Sequence, residues 1–199
     1  QLPVRLKAAY DGAGQGRRSI NWQPSGGGPA QASTTGLQTL RNRSRHAVRN
    51  DPYAGGAIDK QVSNHIGTGI VPRPSNANPA IRAAISELWE DWCEESDADN
   101  VLDFYGQQAL AAQGTFEGGE VFARLRPRRL EDGLSVPLQV QLLEAEFVPH
   151  DKSGQAPNGN RIRQGIEFNG IGQRVAYWMY RSHPGEGAGS GEYNSLVRV

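Results

Sequence analysis

The hydrophobic pattern of this chain changes near Gly118, and the change separates two kinds of predicted secondary structure. Before Gly118, apolar residues recur at intervals of three and four, the spacing of an amphipathic helix. After it, apolar and polar residues alternate at the period of a β-strand, for example at Val121, Ala123 and Leu125. Helices followed by strands predict an α+β fold, with N-terminal helices preceding an antiparallel β-sheet.

Capping signals mark the expected start of most of these helices. Asp, Asn and Thr side chains accept hydrogen bonds from the free N–H groups of a first helical turn, and proline suits the first helical position. We expect two helices within residues 34–66, one over 79–95 and a shorter one over about 103–116. The expected N-caps are Thr34 or Thr35, Asp51 followed by Pro52, and Asn78 followed by Pro79. Gly67 is expected to end the second helix.

Three regions are expected along the chain. Residues 1–33, rich in Gly, Ser, Pro and Gln, lack periodicity and predict an extended N-terminal arm or linker. Residues 34–117 form the helical region, and residues 118–199 form an antiparallel, β-rich segment with a hairpin signal at Asn169-Gly170. Because the chain begins with Gln1 and residues 196–199 resemble the start of a strand, we expect a fragment truncated at its C-terminus.

The composition argues against several classes of protein. The 199 residues carry 21 basic and 21 acidic side chains, so the net charge of zero gives no whole-chain argument for nucleic acid binding. The single cysteine, Cys93, allows no internal disulfide bond and fits a reducing compartment. No apolar run approaches the roughly 20 residues that a membrane helix needs, and no signal peptide opens the sequence. Association with a membrane is therefore not expected.

The zero net charge conceals two segments of opposite charge. Residues 1–50 hold eight basic residues and one acid, whereas residues 81–103 hold eight acids and one base. Such separation suits contact with a partner or with another copy of the chain. The basic candidates are Arg41, Arg43, Arg45 and Arg49, and the acidic interface candidates are Glu87, Glu90, Asp91, Glu94 and Glu95.

The basic segment 41–49 also allows a second hypothesis, a nucleic-acid-binding module that grips phosphate. No aromatic residues are interleaved with these arginines to stack on bases. The alternative is a solvated helix face or pairing with acids of another subunit. We expect these arginines to serve assembly more than DNA binding.

Four glutamates raise a third hypothesis, a metal-dependent hydrolase. Glu144 and Glu146 would share one face of a strand, which is a possible ligand geometry. The alternative is ordinary strand-edge charge, or salt bridges to Arg124, Arg126, Arg128 and Arg129. Because no histidine stands at ligand spacing and no catalytic constellation converges, we expect neither an enzyme nor a cofactor. The four are Glu117, Glu120, Glu144 and Glu146.

A series of short motifs runs in order across nearly the whole chain. The motifs are AAYDGA at residues 8–13, RRS at 17–19, LRNRSR at 40–45, RNDPYA at 49–54, NHIGTGI at 64–70, GGEVF at 118–122, LQVQLLE at 138–144, GIEF at 165–168 and GQRVAY at 172–177. This ordered series resembles the lambda-type phage portal proteins. Departures from the family pattern are a Gly/Pro-rich insert at residues 25–32 and His65, where an apolar residue is expected.

The resemblance implies a function that the composition alone does not predict. Portal proteins of this kind form a ring, usually of twelve copies, at one vertex of the capsid. The capsid protein, the terminase and later the head-completion proteins bind this ring, and double-stranded DNA passes through its channel. The expected location is the virion, with the host cytoplasm as the place of assembly. The sequence would correspond to the N-terminal arm and much of the wing domain, with the channel-lining parts lying further C-terminal.

Overall fold

A computed structural model describes residues 17, 21, 24, 26–185 and 195–199, and most of the predicted arm at residues 1–33 lies outside them. The described residues form four α-helices followed by antiparallel sheets, which confirms the predicted α+β fold. By its internal contacts the chain divides into Gln1–Thr35 and Gly36–Val199, and every element after the first turns of the first helix lies in the second unit.

The helices precede the strands, in the order that the hydrophobic periodicity predicts. The helices are α1 (Pro29–Asn50), α2 (Pro52–Ile66), α3 (Pro79–Glu95) and α4 (Phe104–Gly118). The strands are β1 (Val121–Pro127), β2 (Leu138–Glu144), β3 (Gly154–Gln155), β4 (Arg161–Arg163), β5 (Ile166–Phe168), β6 (Arg174–Tyr180) and β7 (Leu196–Arg198). Short 3-10 helices lie at Leu130–Asp132 and Ala145–Phe147. Among the described residues, no helix combines the length and the hydropathy needed to cross a membrane.

The predicted caps of α2 and α3 are confirmed. The Asp51 carboxylate accepts a hydrogen bond from the Tyr53 N–H at 2.9 Å, and the Asn78 side chain accepts one from Ala80 at 2.9 Å. Gly67 ends α2 with a φ of 58°, a backbone angle that favours glycine. Asp103 caps α4 in the same way, through the Gly106 N–H.

The first helix begins earlier than predicted, at Pro29, so the expectation that Thr34 or Thr35 caps it is wrong. Pro29 occupies the first helical position, where its missing N–H costs nothing. The Thr34 hydroxyl donates a hydrogen bond back to the Ala30 carbonyl at 2.6 Å, as threonines inside a helix do.

Two antiparallel sheets complete the fold. Strands β1 and β2 pair over their full length, from Val121 opposite Glu144 to Pro127 opposite Leu138. Strands β3 to β7 form a second sheet in chain order. The predicted hairpin at Asn169-Gly170 is confirmed as the connection between β5 and β6, where the Asn169 carboxamide oxygen accepts hydrogen bonds from Ile171 and Gln173 N–H groups.

Two apolar clusters hold the second unit together. Leu143, Val148 and Met179 are buried between β2, the following 3-10 helix and β6, with Phe122 and Tyr177 packed against them. The other cluster is aromatic and joins the C-terminal half of α3 to α4 through Trp89, Trp92 and Phe104, whose rings lie 5.0–5.2 Å apart. The indole N–H of Trp92 donates to the Leu138 carbonyl at 2.6 Å, which connects this cluster to β2.

Candidate assembly surfaces

The four arginines predicted to act together on α1 divide into an inward and an outward pair. Arg41 and Arg45 are one helical turn apart, so they share a face of α1, and both contact the end of α4 or the strands. Arg43 and Arg49 are exposed, and neither has an ion pair within the described part of the chain. The outward pair alone is therefore open to a partner.

Arg41 is buried and connects α1 to the junction of α4 and β1. Its Nε donates to the Gly118 carbonyl at 3.1 Å, and its Nη2 forms an ion pair with the Glu120 carboxylate. The Gly118 carbonyl lies at the C-terminus of α4, where a helix carries partial negative charge. This geometry assigns Arg41 to the internal structure of the chain.

Arg45 forms a bidentate pair with Glu146. The Nη1 and Nη2 atoms lie 2.7 and 2.9 Å from the two Glu146 oxygens, and Nη2 also lies 2.9 Å from Glu144 Oε2. Burial is the largest effect on Glu146 and alone would raise its pKa, but the hydrogen bonds from Arg45, a backbone hydrogen bond and the charges of Arg45 and Arg41 together lower that pKa. Burial is also the largest effect on Arg45 and alone would lower its pKa, but Glu146, with the charges of Glu144 and Glu117, raises it.

The prediction that Glu144 and Glu146 share one strand face is wrong. Strand β2 ends at Glu144, and Glu146 lies in the 3-10 helix that follows. Their carboxylates converge because both contact Arg45, a residue about 100 positions earlier in the chain. The ion pairs of these glutamates are thus formed with α1, not with the arginines of β1 and its following loop.

His183 completes this cluster, and together with Glu144 and Glu146 it offers ligand atoms within 4.8 Å of one another. The guanidinium group of Arg45 already lies on both carboxylates, so the chain supplies its own cation there. His183 Nδ1 accepts a hydrogen bond from the Gly185 N–H at 3.1 Å, and its Nε2 lies 3.4 Å from Glu144 Oε2. The arrangement favours an ion-pair network of Arg45 with the two glutamates.

The acidic candidates on α3 also divide. Glu95 accepts hydrogen bonds from the Ser135 N–H and hydroxyl at 2.8 and 2.9 Å, so it orders the loop before β2. Glu87, Glu90, Asp91 and Glu94 are exposed, and no ion pair is formed by them among the described residues.

The apolar face of α3 is only half covered. Trp92 is buried near its C-terminus, but Ile81, Ile85 and Leu88 nearer the N-terminus remain 44%, 44% and 48% exposed. These three residues fall at positions i, i+4 and i+7, so they form one stripe along the helix. The described part of the chain therefore leaves this stripe about half exposed.

Two comparisons with known proteins bear on this architecture. Residues 15–199 match the family model described as phage portal protein, lambda family. A relative named "Probable portal protein", from Halomonas phage phiHAP-1, is 27% identical over 161 residues, which cover 75% of this chain and 30% of the relative. The family match extends over more than nine-tenths of the sequence, and the chain belongs to the lambda family of phage portal proteins.

Proposed function

We propose that this chain is a structural subunit of a phage portal ring at the capsid vertex, through which DNA is packaged and ejected. The observation that carries the proposal is the family match over residues 15–199. The chain spans 30% of the length of its curated relative. The proposal therefore includes the ring itself, the capsid, terminase and head-completion proteins as its partners, and the DNA that passes through it. The protein would act in the virion after assembly in the host cytoplasm, without catalysis.

The surface charges support assembly through contacts between different faces of neighbouring copies. Arg43 and Arg49 are unpaired on α1, and exposed acids are unpaired on α3, in the described part of the chain. A contact between two different surfaces closes into a ring when the rotation between copies permits. Nucleic acid binding by residues 41–49 is less favoured, because Arg41 and Arg45 are engaged with carboxylates and leave two arginines for phosphate.

Electron microscopy of the protein that carries this sequence tests the proposal. We expect rings of about twelve copies, and a protein that stays monomeric at micromolar concentration would contradict it.

Reversing the charge of Arg43 and Arg49 together should abolish ring formation, because both face outward while the inner pair remains intact. Reversing all four α1 arginines would also break the ion pairs to Glu120 and Glu146, so the double variant isolates assembly from folding. Arg161→Glu with Arg163→Glu, on the exposed positions of β4, is the matched control. Normal rings with impaired DNA packaging in the Arg43/Arg49 variant would show that these arginines serve DNA instead.

A further inference from the structure

An open cleft of about 570 Å³ lies on the second sheet, and its charge is positive. It is lined by residues of β4 and β5 and by the turns that precede β4 and follow β5. Arg161 and Arg163 are its charged residues, and none of the described residues that line it is acidic. Both arginines are exposed, and neither forms an ion pair within the described ranges. The positive charge of this surface, the arginine cleft, is thus not compensated by the described part of the chain.

The strand register places an aromatic ring between arginines on this face of the sheet. Arg161 lies opposite Phe168 in the β4–β5 pairing, and Phe168 lies opposite Arg174 in the β5–β6 pairing, beyond a register shift. Residues opposite one another on neighbouring strands share a face, as do residues two apart on one strand. The half-buried Phe168 therefore lies among Arg161, Arg163 and the exposed Arg174. Since strands lie about 4.8 Å apart, the three arginines span roughly 10 Å of the sheet.

The buried carboxylate of Glu167 does not neutralise the cleft. Glu167 lies opposite Ile162, so both belong to the other face of the sheet, where Arg198 pairs with Glu167 at 2.8 Å. Asn158 and Asn160, which line the cleft, direct their side-chain amide groups to the same carboxylate. The arginines are consequently left to contact a partner, while the asparagines fix the turn before β4.

The turns at the rim leave the arginines accessible to a large partner. Gly159, Gly170 and Gly172 line the cleft, and beyond the adjoining residues no atom lies within 4 Å of the place that a Cβ atom would take at any of them. A rigid, convex surface can therefore approach the sheet closely. Guanidinium groups donate paired hydrogen bonds to phosphate oxygens, so a chain of phosphates matches both the charge and the openness of the cleft.

The aromatic content of the cleft favours a duplex over a single strand. Proteins that bind single-stranded nucleic acid stack successive bases on exposed aromatic rings. Phe168, which is half-buried, is the single aromatic residue among the described residues that line the cleft. A duplex is held through its phosphates and needs no such stacking.

We propose that the arginine cleft binds the phosphate backbone of double-stranded DNA, through Arg161, Arg163 and the neighbouring Arg174. The choice of DNA as the ligand rests on the proposed portal function. The site is separate from the exposed charges of α1 and α3, so DNA contact and ring assembly use different residues of the chain.

The salt dependence of DNA binding tests the site, with the protein that carries this sequence and a short labelled DNA duplex in fluorescence anisotropy. Arg161→Gln with Arg163→Gln should reduce the slope of log affinity against log salt concentration by about two, because each lost phosphate contact removes about 0.9. Arg73→Gln with Arg129→Gln is the matched control, since it removes the same charge at exposed positions outside the cleft. This control should leave the slope nearly unchanged.

A charge added at Gly170 gives a second test, in which one position should act in both directions. The φ of Gly170 lies outside the left-handed region and the space beside it is open, so a side chain fits there without strain. Gly170→Lys should strengthen duplex binding and Gly170→Glu should weaken it, a pair of results that a folding defect cannot produce.

Four outcomes would count against the proposals. A wild type that binds no duplex at low salt, or an unchanged slope in the Arg161/Arg163 variant, would overturn the site. A loss of binding confined to polyglutamate would assign the arginines to an acidic protein, and a loss confined to single-stranded DNA would replace the duplex as ligand. Electron microscopy should show normal rings for both arginine variants. A wild type that binds the duplex through these arginines but forms no rings would contradict the portal function alone.

Discussion

Glu167 on β5 is a fully buried carboxylate that holds the second sheet together. It accepts hydrogen bonds from the side chains of Asn158 and Asn160 at 2.8 and 2.7 Å, and from the Trp178 indole at 3.2 Å. Arg198 on β7 donates two more, through Nε at 2.8 Å and Nη2 at 3.1 Å. An unpaired buried carboxylate would be costly, but these donors surround both oxygens. They lower the pKa of Glu167 from 4.5 to about 2, with the Arg198 hydrogen bonds as the largest cause.

We expect Glu167→Gln to lower the free energy of unfolding at neutral pH, because one acceptor oxygen becomes a donor that faces other donors. Since the pKa of Glu167 is depressed to about 2 in the folded chain, its stabilisation is complete above the ordinary value of 4.5 and is lost as the pH falls toward 2. Urea titrations should therefore show a constant gap between wild type and variant above pH 4.5 that narrows at lower pH.

Glu131→Gln is the control for this pH dependence. Its ion pair with Arg129 is exposed at both ends, so removing the charge should change stability little at any pH. A Glu167→Gln gap that persisted undiminished near pH 2 would mean that the carboxylate charge is not what stabilises the sheet.

The turn between α3 and α4 is organised around Asp97, which the sequence analysis counted only as one of the eight acids of residues 81–103. Its carboxylate accepts backbone hydrogen bonds from Asp99, Val101 and Leu102 at 3.0–3.1 Å, and one from the Gln107 side chain at 3.0 Å. Burial alone would raise the pKa of Asp97, but these donors outweigh it and the pKa is lowered. One buried side chain thus positions both helices.

Asp97→Ala should lower the free energy of unfolding by about 2–3 kcal/mol, because several buried donors lose their acceptor at once. Glu94→Ala is the matched control on the exposed face of α3, and it should lie within about 0.5 kcal/mol of the wild type. Guanidinium denaturation of the three proteins measures both effects. Equal stabilities of the two variants would mean that the hydrogen bonds accepted by Asp97 do not stabilise the fold.

Sequence signals predicted the start of a helix well where the hydrogen bond that caps the helix joins residues close together in the chain. Asp51 and Asn78 cap their helices because each accepts a hydrogen bond from an N–H two residues later. The start of α1 was missed because Pro29, the first helical residue, follows glycines that resemble a linker. The hydroxyls of Thr34 and Thr35 are typical of N-caps, so the predicted start lay about five residues too late.

The candidate surfaces could be predicted only in part. The arginines of α1 and the stripe of α3 are visible as patterns, but their accessibility is not. Whether Arg45 faces solvent or Glu146 depends on a contact across 101 positions, and helical spacing carries no information on which strand end lies opposite. The same limit applies to Asp97, whose burial is set by Gln107 and by the Val140 carbonyl that receives the Ala98 N–H.

On the scale of the whole molecule, each of the two oppositely charged segments divides into a part used inside the fold and a part left exposed. Glu120, Glu144 and Glu146 pair with arginines of α1, and the Asp97 carboxylate is surrounded by neutral N–H donors. The remaining charge lies on exposed positions of α1 and α3. In the proposed assembly, folding and subunit contacts would draw on different residues of the same segments, and Arg45 is one of the residues that join the helical region to the strands.

Arg45→Met should destabilise the chain by about 3 kcal/mol, because it leaves the Glu146 carboxylate buried beside an apolar side chain. Adding Glu146→Leu should recover much of this loss, since no buried charge then remains. Without Arg45, burial should raise the pKa of Glu146, so protonation relieves the single variant and its deficit against the wild type should shrink on acidification. Urea titrations of the wild type, both single variants and the double variant, each at two pH values, measure the coupling. Additive losses at both pH values would mean that the pair does not fasten α1 to the strands.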